Sequence, residues 1–350
     1  MFEPKFSFTP KVVNTLASIE RLYGSLLEQE LMPSLALKLS QENQILATHH
    51  STSIEGNPLS PRDVTNIILG DQIPTTKSER EVKNYFAVLN QISVLAKKKE
   101  PISTDLARKL HQELMKGLLT HRIGEFRGSE VFIGRKSKTE LVVKHNPPYH
   151  TAGEIKGTLG EVFGWVGKKE ELHPLIRAGI LHHQFAYIHP FFDGNGRLAR
   201  ILTAYFLLLK QYEIVRFFIL DDYYDIDRQQ YSDMLHLADS GDETRWLEYF
   251  LEGIAYSLQA ARARINQLKG KSVDEVTGEK RVLVTSREED VIRVVLDKKA
   301  VKTTDVVEAL GVTRQQAHAL LASLVKKGIL SKFGKTKTSY YKLVSQSAPG

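Results

Sequence analysis

The sequence contains no cysteine among its 350 residues, so disulfide bonds and thiolate metal sites are excluded. It also lacks an apolar run of the length that a membrane-spanning helix needs. Its first residues, MFEPKFSFTP, do not show the basic and then apolar pattern of a secretory signal. With 42% hydrophobic and 25% charged residues, the composition is that of an ordinary globular protein. We therefore expect a cytoplasmic protein with no membrane partner, long enough for two or three domains.

Net charge is distributed unevenly along the chain. Residues 1–280 carry 35 basic and 35 acidic side chains, whereas residues 281–350 carry 13 basic and 6 acidic ones. The whole excess of +7 lies in the C-terminal fifth, which suggests an acidic partner such as DNA. A basic surface that maintains solubility explains the same charges, and charge alone does not decide between the two.

Apolar residues at helical spacing dominate the chain up to residue 268. This spacing predicts helices at 151–168, at 174–188 and from about 196 to 210. Between them and the N-terminal helices, the β-type runs Val131–Ile133 and Leu141–Val143 flank a basic turn and predict a hairpin. The sequence therefore predicts a mainly α protein with one hairpin in its larger part.

The C-terminal part follows a polar segment without periodicity, KGKSVDEVTGEK at 269–280, which we interpret as a linker. Residues 281–345 then show three helical patterns and two short β-type runs around a basic turn. Thr313 is the expected N-cap of the third helix. This order predicts a small α+β winged-helix domain, with the third helix as recognition helix and the hairpin as wing. The predicted wing carries Lys332, Lys335 and Lys337.

Glycine and charged residues are concentrated in HPFFDGNGRLAR, residues 189–200, just before a helical pattern. Gly194 and Gly196 permit a tight turn that a ligand can approach closely. The free amides at the start of the following helix favour an anion, phosphate above all. Arg197 and Arg200 share one face of that helix, where both can bind phosphate oxygens.

Two further side chains complete this chemistry. Asp193 would repel a phosphate unless Mg²⁺ bridged the two groups. His189 has an ordinary pKa of about 6.5, so it is mostly neutral at pH 7 and able to act as a base. The segment therefore predicts a nucleoside triphosphate site, with Mg²⁺, that transfers a phosphorus group.

The same segment matches, at every specified position, the Fic-family signature His-x-Phe-x-(Asp/Glu)-Gly-Asn-Gly-Arg-x-x-Arg. The chain resembles this family over roughly residues 30–245, and GEFRGSEVFIG, the hairpin and HNPP are similar to the region that forms its flap. The resemblance implies an all-helical Fic core with a β-hairpin flap at about 131–145. It also implies a protein adenylyltransferase that transfers AMP from ATP to a Tyr, Thr or Ser hydroxyl and releases pyrophosphate.

The resemblance implies a role for each motif residue. His189 would be the general base that activates the hydroxyl of a target protein, and Asp193 would hold Mg²⁺. The glycine turn would bind the inner phosphates, the two arginines would bind the outer ones, and the flap would pair with an extended target segment. The expected nucleotide-binding residues are Asp193, Gly194, Asn195, Gly196, Arg197, Leu198, Ala199, Arg200, Tyr231, Val142, Val143, Lys144 and His145.

The chain departs from the family pattern at the segment that corresponds to the adenine pocket. YSDMLHLADSGD is similar to the segment that lines this pocket, where family members often have a Tyr-Tyr pair and an Asn. This chain has Tyr231 followed by Ser232, and Asp239 in place of the Asn. Plain helix packing explains Tyr231 as well.

An acidic residue stands where a predicted helix ends, in STSIEGNPLS at 51–60. A carboxylate at a helix C-terminus faces the negative end of the helix dipole, at a cost of about 0.3–1 kcal/mol, and an ordinary surface acid tolerates that cost. The pattern Ser51-x-x-x-Glu55-Gly56, however, resembles the inhibitory helix motif of regulated Fic proteins. It implies that Glu55 pairs with Arg200 and blocks the productive pose of the γ-phosphate. In some relatives the same glutamate supports removal of AMP.

These expectations divide the chain into four parts. They are a helical region at 1–110 with the inhibitory helix at about 40–56, a Fic catalytic domain at 111–268, the linker at 269–280 and the winged helix at 281–345. The sequence leaves open the target protein, self-modification, a homodimer, and whether the winged helix binds DNA or protein.

Three other functions are compatible with parts of the sequence. A phosphotransferase of the same superfamily has Lys at the position of Gly196, and a DNA-binding regulator would not need an intact motif. A metal hydrolase would use His182, His183 and His189, but adjacent histidines project differently, so we expect the first two to be surface and packing residues.

Overall fold

The computed structural model describes residues 2–28, 33–70, 73–136, 141–212, 220–270, 286–334 and 339–344. These residues form fourteen helices and four strands. The chain divides into two compact units, the first with residues 1–29 and 39–267 and the second with residues 30–38 and 268–350. Among the described helices, none combines the length and the apolar character needed to cross a membrane.

The larger part of the chain is helical apart from one hairpin, which confirms the mainly α prediction. Its elements, in chain order, are α1 (Pro10–Leu27), α2 (Pro33–Ile54), α3 (Pro61–Leu69), α4 (Lys77–Lys97), α5 (Thr104–Leu114), β1 (Ile133–Lys136), β2 (Leu141–His145), α6 (Ala152–Lys168), α7 (Pro174–Ile188), α8 (Asn195–Leu209), α9 (Leu220–Ile226), α10 (Arg228–Ala238) and α11 (Thr244–Gly270). The domain boundary predicted between residues 110 and 111 lies inside the first unit and stays a prediction.

The centre of the first unit is the pair α7 and α8. Both helices are buried on almost every face, and Phe185, Leu198 and Leu202 have no exposed surface. Burying a side chain of this size contributes about 1.5–3 kcal/mol, so these two helices are firmly fixed. The turn that joins them carries the motif, which places a functional turn on a rigid base.

Local signals in the sequence explain where the helices start. Ser103 accepts a hydrogen bond from the amide of Leu106 at 3.1 Å and caps α5. Thr151 caps α6 together with Glu154, whose carboxylate accepts from the amide of Thr151. Each cap satisfies amides that the first helical turn leaves without a partner.

Two element boundaries differ from the prediction. β1 starts at Ile133 rather than at Val131, and its register with β2 is irregular between Ile133 and Gly134. The helical pattern that extends to residue 268 is divided in its last part into two helices, α10 and α11, because Gly241 takes a left-handed φ of 99° between them. A residue in that conformation ends a helix.

The second unit contains α12 (Ser286–Lys298), α13 (Thr303–Leu310), α14 (Arg314–Lys326), β3 (Leu330–Phe333) and β4 (Tyr340–Leu343). The two strands are antiparallel, and Thr313 caps α14 as expected. Val295, Leu321 and Tyr341 are part of its buried core. The order helix, helix, helix, hairpin is the one predicted, and the winged-helix assignment stays a prediction. Lys332 lies on β3, while Lys335, Lys337 and the linker residues 271–280 lie outside the described residues.

Candidate active site

The motif forms the turn between α7 and α8. His189 ends α7 with a left-handed φ of 50°, and Gly194 precedes α8 with a φ of 78°. A Cβ at Gly194 would lie 2.7 Å from Sδ of Met115, and the left-handed backbone is one that other residues rarely adopt, so glycine is favoured there. Asn195 holds the turn closed, because its amide group donates to the carbonyl of Phe191 at 2.7 Å and its Oδ1 accepts from the amide of the same residue at 2.9 Å.

Arg127 supports this turn through hydrogen bonds to its backbone, and the sequence analysis assigned Arg127 no role. Its side chain is fully buried. Nε donates to the carbonyl of His189 at 2.7 Å, and Nη2 donates to the carbonyl of Ile188 at 3.1 Å. Nη1 donates to the carbonyl of Ser129 at 2.8 Å. One guanidinium group therefore fixes the end of α7 and the backbone of the candidate base.

His111 supports the other side of the turn and was also missed. Its Nδ1 accepts from the amide of Gly124 at 2.9 Å, so Nε2 carries the proton and donates to the carbonyl of Asp193 at 3.0 Å. The ring stacks on Phe191 with centroids 3.8 Å apart. Burial lowers the pKa of His111 to about 4, which keeps it neutral in this structural role.

His189 has the properties of a base at neutral pH. Burial lowers its pKa to about 4, an effect that its hydrogen bond to the backbone of Ala186 opposes and the charges of His145 and Arg127 reinforce. The imidazole is therefore neutral at pH 7 and can accept a proton. The position of His189 is set by Arg127, which donates to the backbone carbonyls of Ile188 and His189.

Asp193 lies on the solvent side of the turn, and Arg197 lies on its buried side. The Asp193 side chain is 42% exposed and accepts from Arg197 Nη2 at 3.2 Å. Arg197 is buried, and its Nη1 lies 3.5 Å from Oε1 of Glu81. Its Nε makes no hydrogen bond to any described residue. A buried cation with an unused donor, beside the start of a helix, fits an anionic ligand.

Arg200 is the most heavily contacted cation of the site. Its Nε donates to Oγ of Ser51 at 2.7 Å, and its Nη2 donates to the carbonyl of Ser51 at 2.9 Å. Nη2 also lies 2.8 Å from Oε1 of Glu55, and Nε lies 3.3 Å from Oδ1 of Asp221. Burial disfavours the charged form of Arg200. The charge of Glu55, which is the largest opposing effect, and the other partners nevertheless raise the pKa of Arg200 above its usual value.

The Glu55 carboxylate lies directly against the start of α8. A Cβ on Gly196 would collide with Oε1 of Glu55 and come within 3.3 Å of Nη1 of Arg200. The carboxylate thus occupies space at the helix N-terminus, where an anionic ligand would be favoured. The resemblance predicted this pairing of Glu55 with Arg200, and the structure places the two residues in contact.

Asp221 is a second carboxylate on Arg200 that the sequence analysis did not find. It is buried, and the hydroxyl of Tyr85 donates to its Oδ2 at 3.3 Å. Burial raises the pKa of Asp221 to about 6, although Arg200 opposes the shift. The sequence contains no motif around Asp221 that would have revealed it.

Tyr231 packs in an aromatic cluster of the first unit. Its ring stacks on Tyr224 with centroids 4.2 Å apart, and its hydroxyl lies 2.8 Å from Nε2 of His182. His182 and His183 are both buried, so the expectation that they lie partly on the surface was wrong and the expectation of packing was correct. α7 is packed against other helices on nearly every side, which is why these histidines are enclosed.

Asp239 is surrounded by three histidines. His145 Nδ1 lies 2.7 Å from it, and His183 Nε2 and His236 Nδ1 each lie 3.2 Å away. Burial opposes its charge, but these three contacts hold the pKa of Asp239 well below its usual value. Burial likewise opposes protonation of His183, yet Asp239 and Glu243 raise its pKa to about 9. Asp239 therefore joins the flap to α7 and α10.

The remaining predicted residues have different surroundings. Val143 on β2 is 45% exposed, and Lys144 Nζ lies 3.3 Å from Oγ of Ser232. Leu198 and Ala199 are fully buried in α8, so only their backbone could face a nucleotide. For Val142 the structure describes the backbone alone.

Comparison with known proteins gives a family match for the part of the chain that contains the motif. Residues 101–207 match the model of the Fic/DOC family. The chain contains a Fic domain. A protein adenylyltransferase, fic-1 of Caenorhabditis elegans, is 27% identical over 237 residues, which are 65% of this chain and 43% of the relative. A protein adenylyltransferase Fic of Nematostella vectensis is 29% identical over 202 residues, 55% of this chain and 43% of the relative.

The chain spans less than half the length of these curated relatives. The fold around the Fic domain also has a solved counterpart. The crystal structure of a Fic family protein from Desulfovibrio desulfuricans G20 superposes with a TM-score of 0.65 at 23% identity and covers 99% of this chain and 100% of that chain. This likeness shows a shared fold.

Proposed function

We propose that this protein transfers AMP from ATP to a hydroxyl side chain of a protein and releases pyrophosphate. The observation that supports this best is the position of a neutral His189 at the end of α7, one short turn away from the anion-favouring start of α8. The names of the relatives support AMP as the transferred group. Gly196 also argues against the phosphotransferase branch of the superfamily, which has Lys at the position of Gly196.

The residues present fit a triphosphate. The unused Nε of buried Arg197 offers a charged donor, and the amides at the start of α8 offer neutral ones. Asp193 has an exposed carboxylate and would hold Mg²⁺, which neutralises charge on the phosphates when bound. Tyr231 and the flap residues 142–145 would lie on the nucleoside side, in keeping with the resemblance.

The proton transfer is carried out by His189. Its neutral imidazole takes the proton from the target hydroxyl as that oxygen attacks the α-phosphorus. The new bond joins the hydroxyl oxygen to phosphorus, and the bond between the α-phosphorus and its bridging oxygen breaks, so that pyrophosphate leaves. Arg197 stabilises the negative charge of the outer phosphates during this step.

The flap is suited to present the target. β1 and β2 form a two-stranded sheet with each other, and Val143 is half exposed. An extended segment of a target protein would add to an edge of this hairpin through backbone hydrogen bonds. Such a contact is made with the backbone of the target and does not depend on its side chains. It would therefore place a hydroxyl of another protein, or of a second copy of the chain, near His189.

Glu55 would restrain this reaction. Its carboxylate occupies the start of α8 and neutralises Arg200, so it removes one cation and adds a negative charge where the outer phosphates must lie. ATP would then bind with its α-phosphorus badly oriented for attack. In the same place, the carboxylate is positioned to assist water in removing AMP from a modified target.

The transferred group is tested by incubating the protein with ATP that is radioactively labelled on the α-phosphate or on the γ-phosphate. We expect label on protein from the α position and none from the γ position. His189→Ala should abolish labelling while ATP binding persists, since the base is not a phosphate ligand. Label only from the γ position would make the protein a phosphotransferase instead.

A further inference from the structure

A second group of metal-ligand side chains lies on α2, close to Glu55 but on the side facing α9. The ligand atoms of His49, His50 and Asp225 all lie within 4.8 Å of one another. Nδ1 of His50 is 2.9 Å from Oδ2 of Asp225, and its Nε2 is 3.7 Å from Oδ1 of Asp222. Adjacent helical residues generally project differently, but the rings of these two histidines meet edge-on, with centroids 4.9 Å apart.

His49 contains the atom that points to a ligand. Its Nδ1 is buried and has no hydrogen-bond partner among the described residues. Leaving a buried polar atom without a partner costs about 1–3 kcal/mol, so such an atom calls for an explanation.

We propose that His49, His50 and Asp225 bind one divalent transition-metal ion of the zinc class. Two imidazoles and one carboxylate are a common donor set for Zn²⁺, and water would complete four-coordination. Mg²⁺ prefers oxygen ligands, so this site would not compete for the ion expected at Asp193.

The surroundings of Asp225 are compatible with an ion. Arg228 uses only one of the two carboxylate oxygens, with Nε 2.7 Å from Oδ1, which leaves Oδ2 on the histidine side. Two carboxylates, Asp222 and Asp225, face His50, and Arg228 and Arg264 are the cations that interact with them.

The position of this site gives it a regulatory consequence, which rests on the proposed function. An ion held between α2 and α9 would fasten the last turns of α2, the helix that leads into Glu55. Arg228 already makes a contact there, since its Nη2 donates to Oγ of Ser53 at 2.6 Å. Bound metal would therefore hold Glu55 against Arg200 and lower the rate of AMP transfer.

The binding test uses the full chain, stripped of metal with a chelator and titrated with ZnCl₂ in a calorimeter. We expect one equivalent of Zn²⁺ per chain, with binding at least tenfold weaker in His49→Gln and Asp225→Asn. His49→Gln removes an Nδ1 that makes no hydrogen bond to described residues and also changes the hydrogen bond of the ring to the backbone of Leu59, so thermal unfolding is measured to check that the variant remains folded. His121→Gln, at an exposed histidine, is the matched control and should bind like the wild type.

Two outcomes of this titration would overturn the proposal. One is a wild-type protein that binds no Zn²⁺. The other is binding that persists in both His49→Gln and Asp225→Asn. If that binding is lost in His236→Gln instead, the ion belongs to the group of His145, His236 and Asp239, whose ligand atoms also lie within 4.8 Å of one another.

The regulatory part is tested by the rate of AMP transfer with and without one equivalent of ZnCl₂. We expect Zn²⁺ to slow the wild type several-fold and to leave His49→Gln and Glu55→Gly unchanged. Equal slowing of Glu55→Gly would show that the ion acts at the catalytic turn, and no slowing of a Zn²⁺-bound wild type would remove the regulatory role. If no variant transfers AMP at all, the proposed function fails while the calorimetric result for the site still stands.

Discussion

Glu55 and Arg200 form an ion pair, with Oε1 and Nη2 2.8 Å apart, at the start of α8. The two partners differ in their surroundings, because Arg200 is buried whereas the Glu55 side chain is 31% exposed. Arg200 also keeps Ser51 and Asp221 as partners. The exposed carboxylate can therefore be removed without leaving a buried, uncompensated charge, as a removable inhibitor requires.

Thermal unfolding should separate the two carboxylates on Arg200. Glu55→Gly removes a partly exposed pair, worth about 0–1 kcal/mol, so the midpoint should fall by no more than about 4 °C. Asp221→Asn removes a buried carboxylate whose ionised form burial disfavours, since its pKa is raised to about 6, and Arg200 keeps Glu55 as a partner. Its midpoint should therefore not fall at pH 7 to 8. A fall of much more than about 4 °C in Glu55→Gly would show that Glu55 supports the fold.

The pH dependence of AMP transfer should report the lowered pKa of His189. Because its pKa is about 4, the imidazole is neutral above about pH 5 and becomes protonated as the pH falls through 4. The initial rate of Glu55→Gly should be level from pH 6 to pH 8 and should decline below about pH 5. A half-maximal rate near pH 6.5 would contradict the buried, neutral base.

Arg127 should act on the reaction only through the position of His189. Arg127→Lys keeps the positive charge but loses the planar guanidinium group, whose nitrogens donate to the carbonyls of Ile188 and His189. We expect a lower unfolding temperature and AMP transfer reduced at least tenfold, with the Kd for ATP within about twofold. The matched control is Arg108→Lys, since Arg108 donates to the carbonyl of Gly124 from a more exposed position. An equal effect of both changes on transfer would contradict the positioning role.

The sequence was sufficient for features that short segments determine. The start of α8 follows from glycines and an asparagine within the turn itself, and the caps at Ser103 and Thr313 come from residues beside the helices they start. The helix–helix–helix–hairpin order of the second unit could be predicted for the same reason. The chemistry of the motif could be proposed because its residues are consecutive.

The rest depends on contacts between distant parts of the chain. Arg127 bonds to His189 and His111 to Asp193 only after α5, α7 and the turn have packed together. Asp221 meets Arg200 through burial that no local pattern encodes. The pairing of Glu55 with Arg200 was predicted from family resemblance, since a glutamate at a helix end looks the same when it is an ordinary surface acid.

The basic C-terminal part should bind duplex DNA if the winged-helix prediction is correct. Phosphate contacts release counterions, so affinity of the full chain should fall steeply between about 50 and 200 mM salt. Lys332→Glu, on exposed β3, should weaken binding further, whereas Lys11→Glu in α1 should not. An absence of binding by the wild type at low salt would make this part a protein-interaction module.

The central claim is that Glu55 restrains AMP transfer by occupying the start of α8. It is tested by the initial rate of AMP incorporation from α-labelled ATP, at saturating ATP and Mg²⁺. Glu55→Gly should be at least about tenfold faster than the wild type, because misorientation of a substrate costs that much or more. Arg200→Ala and the double variant should both remain slow, since each lacks a phosphate ligand. The matched control Glu28→Gly, at the exposed C-cap of α1, should equal the wild type. An unchanged or lower rate for Glu55→Gly would contradict the account.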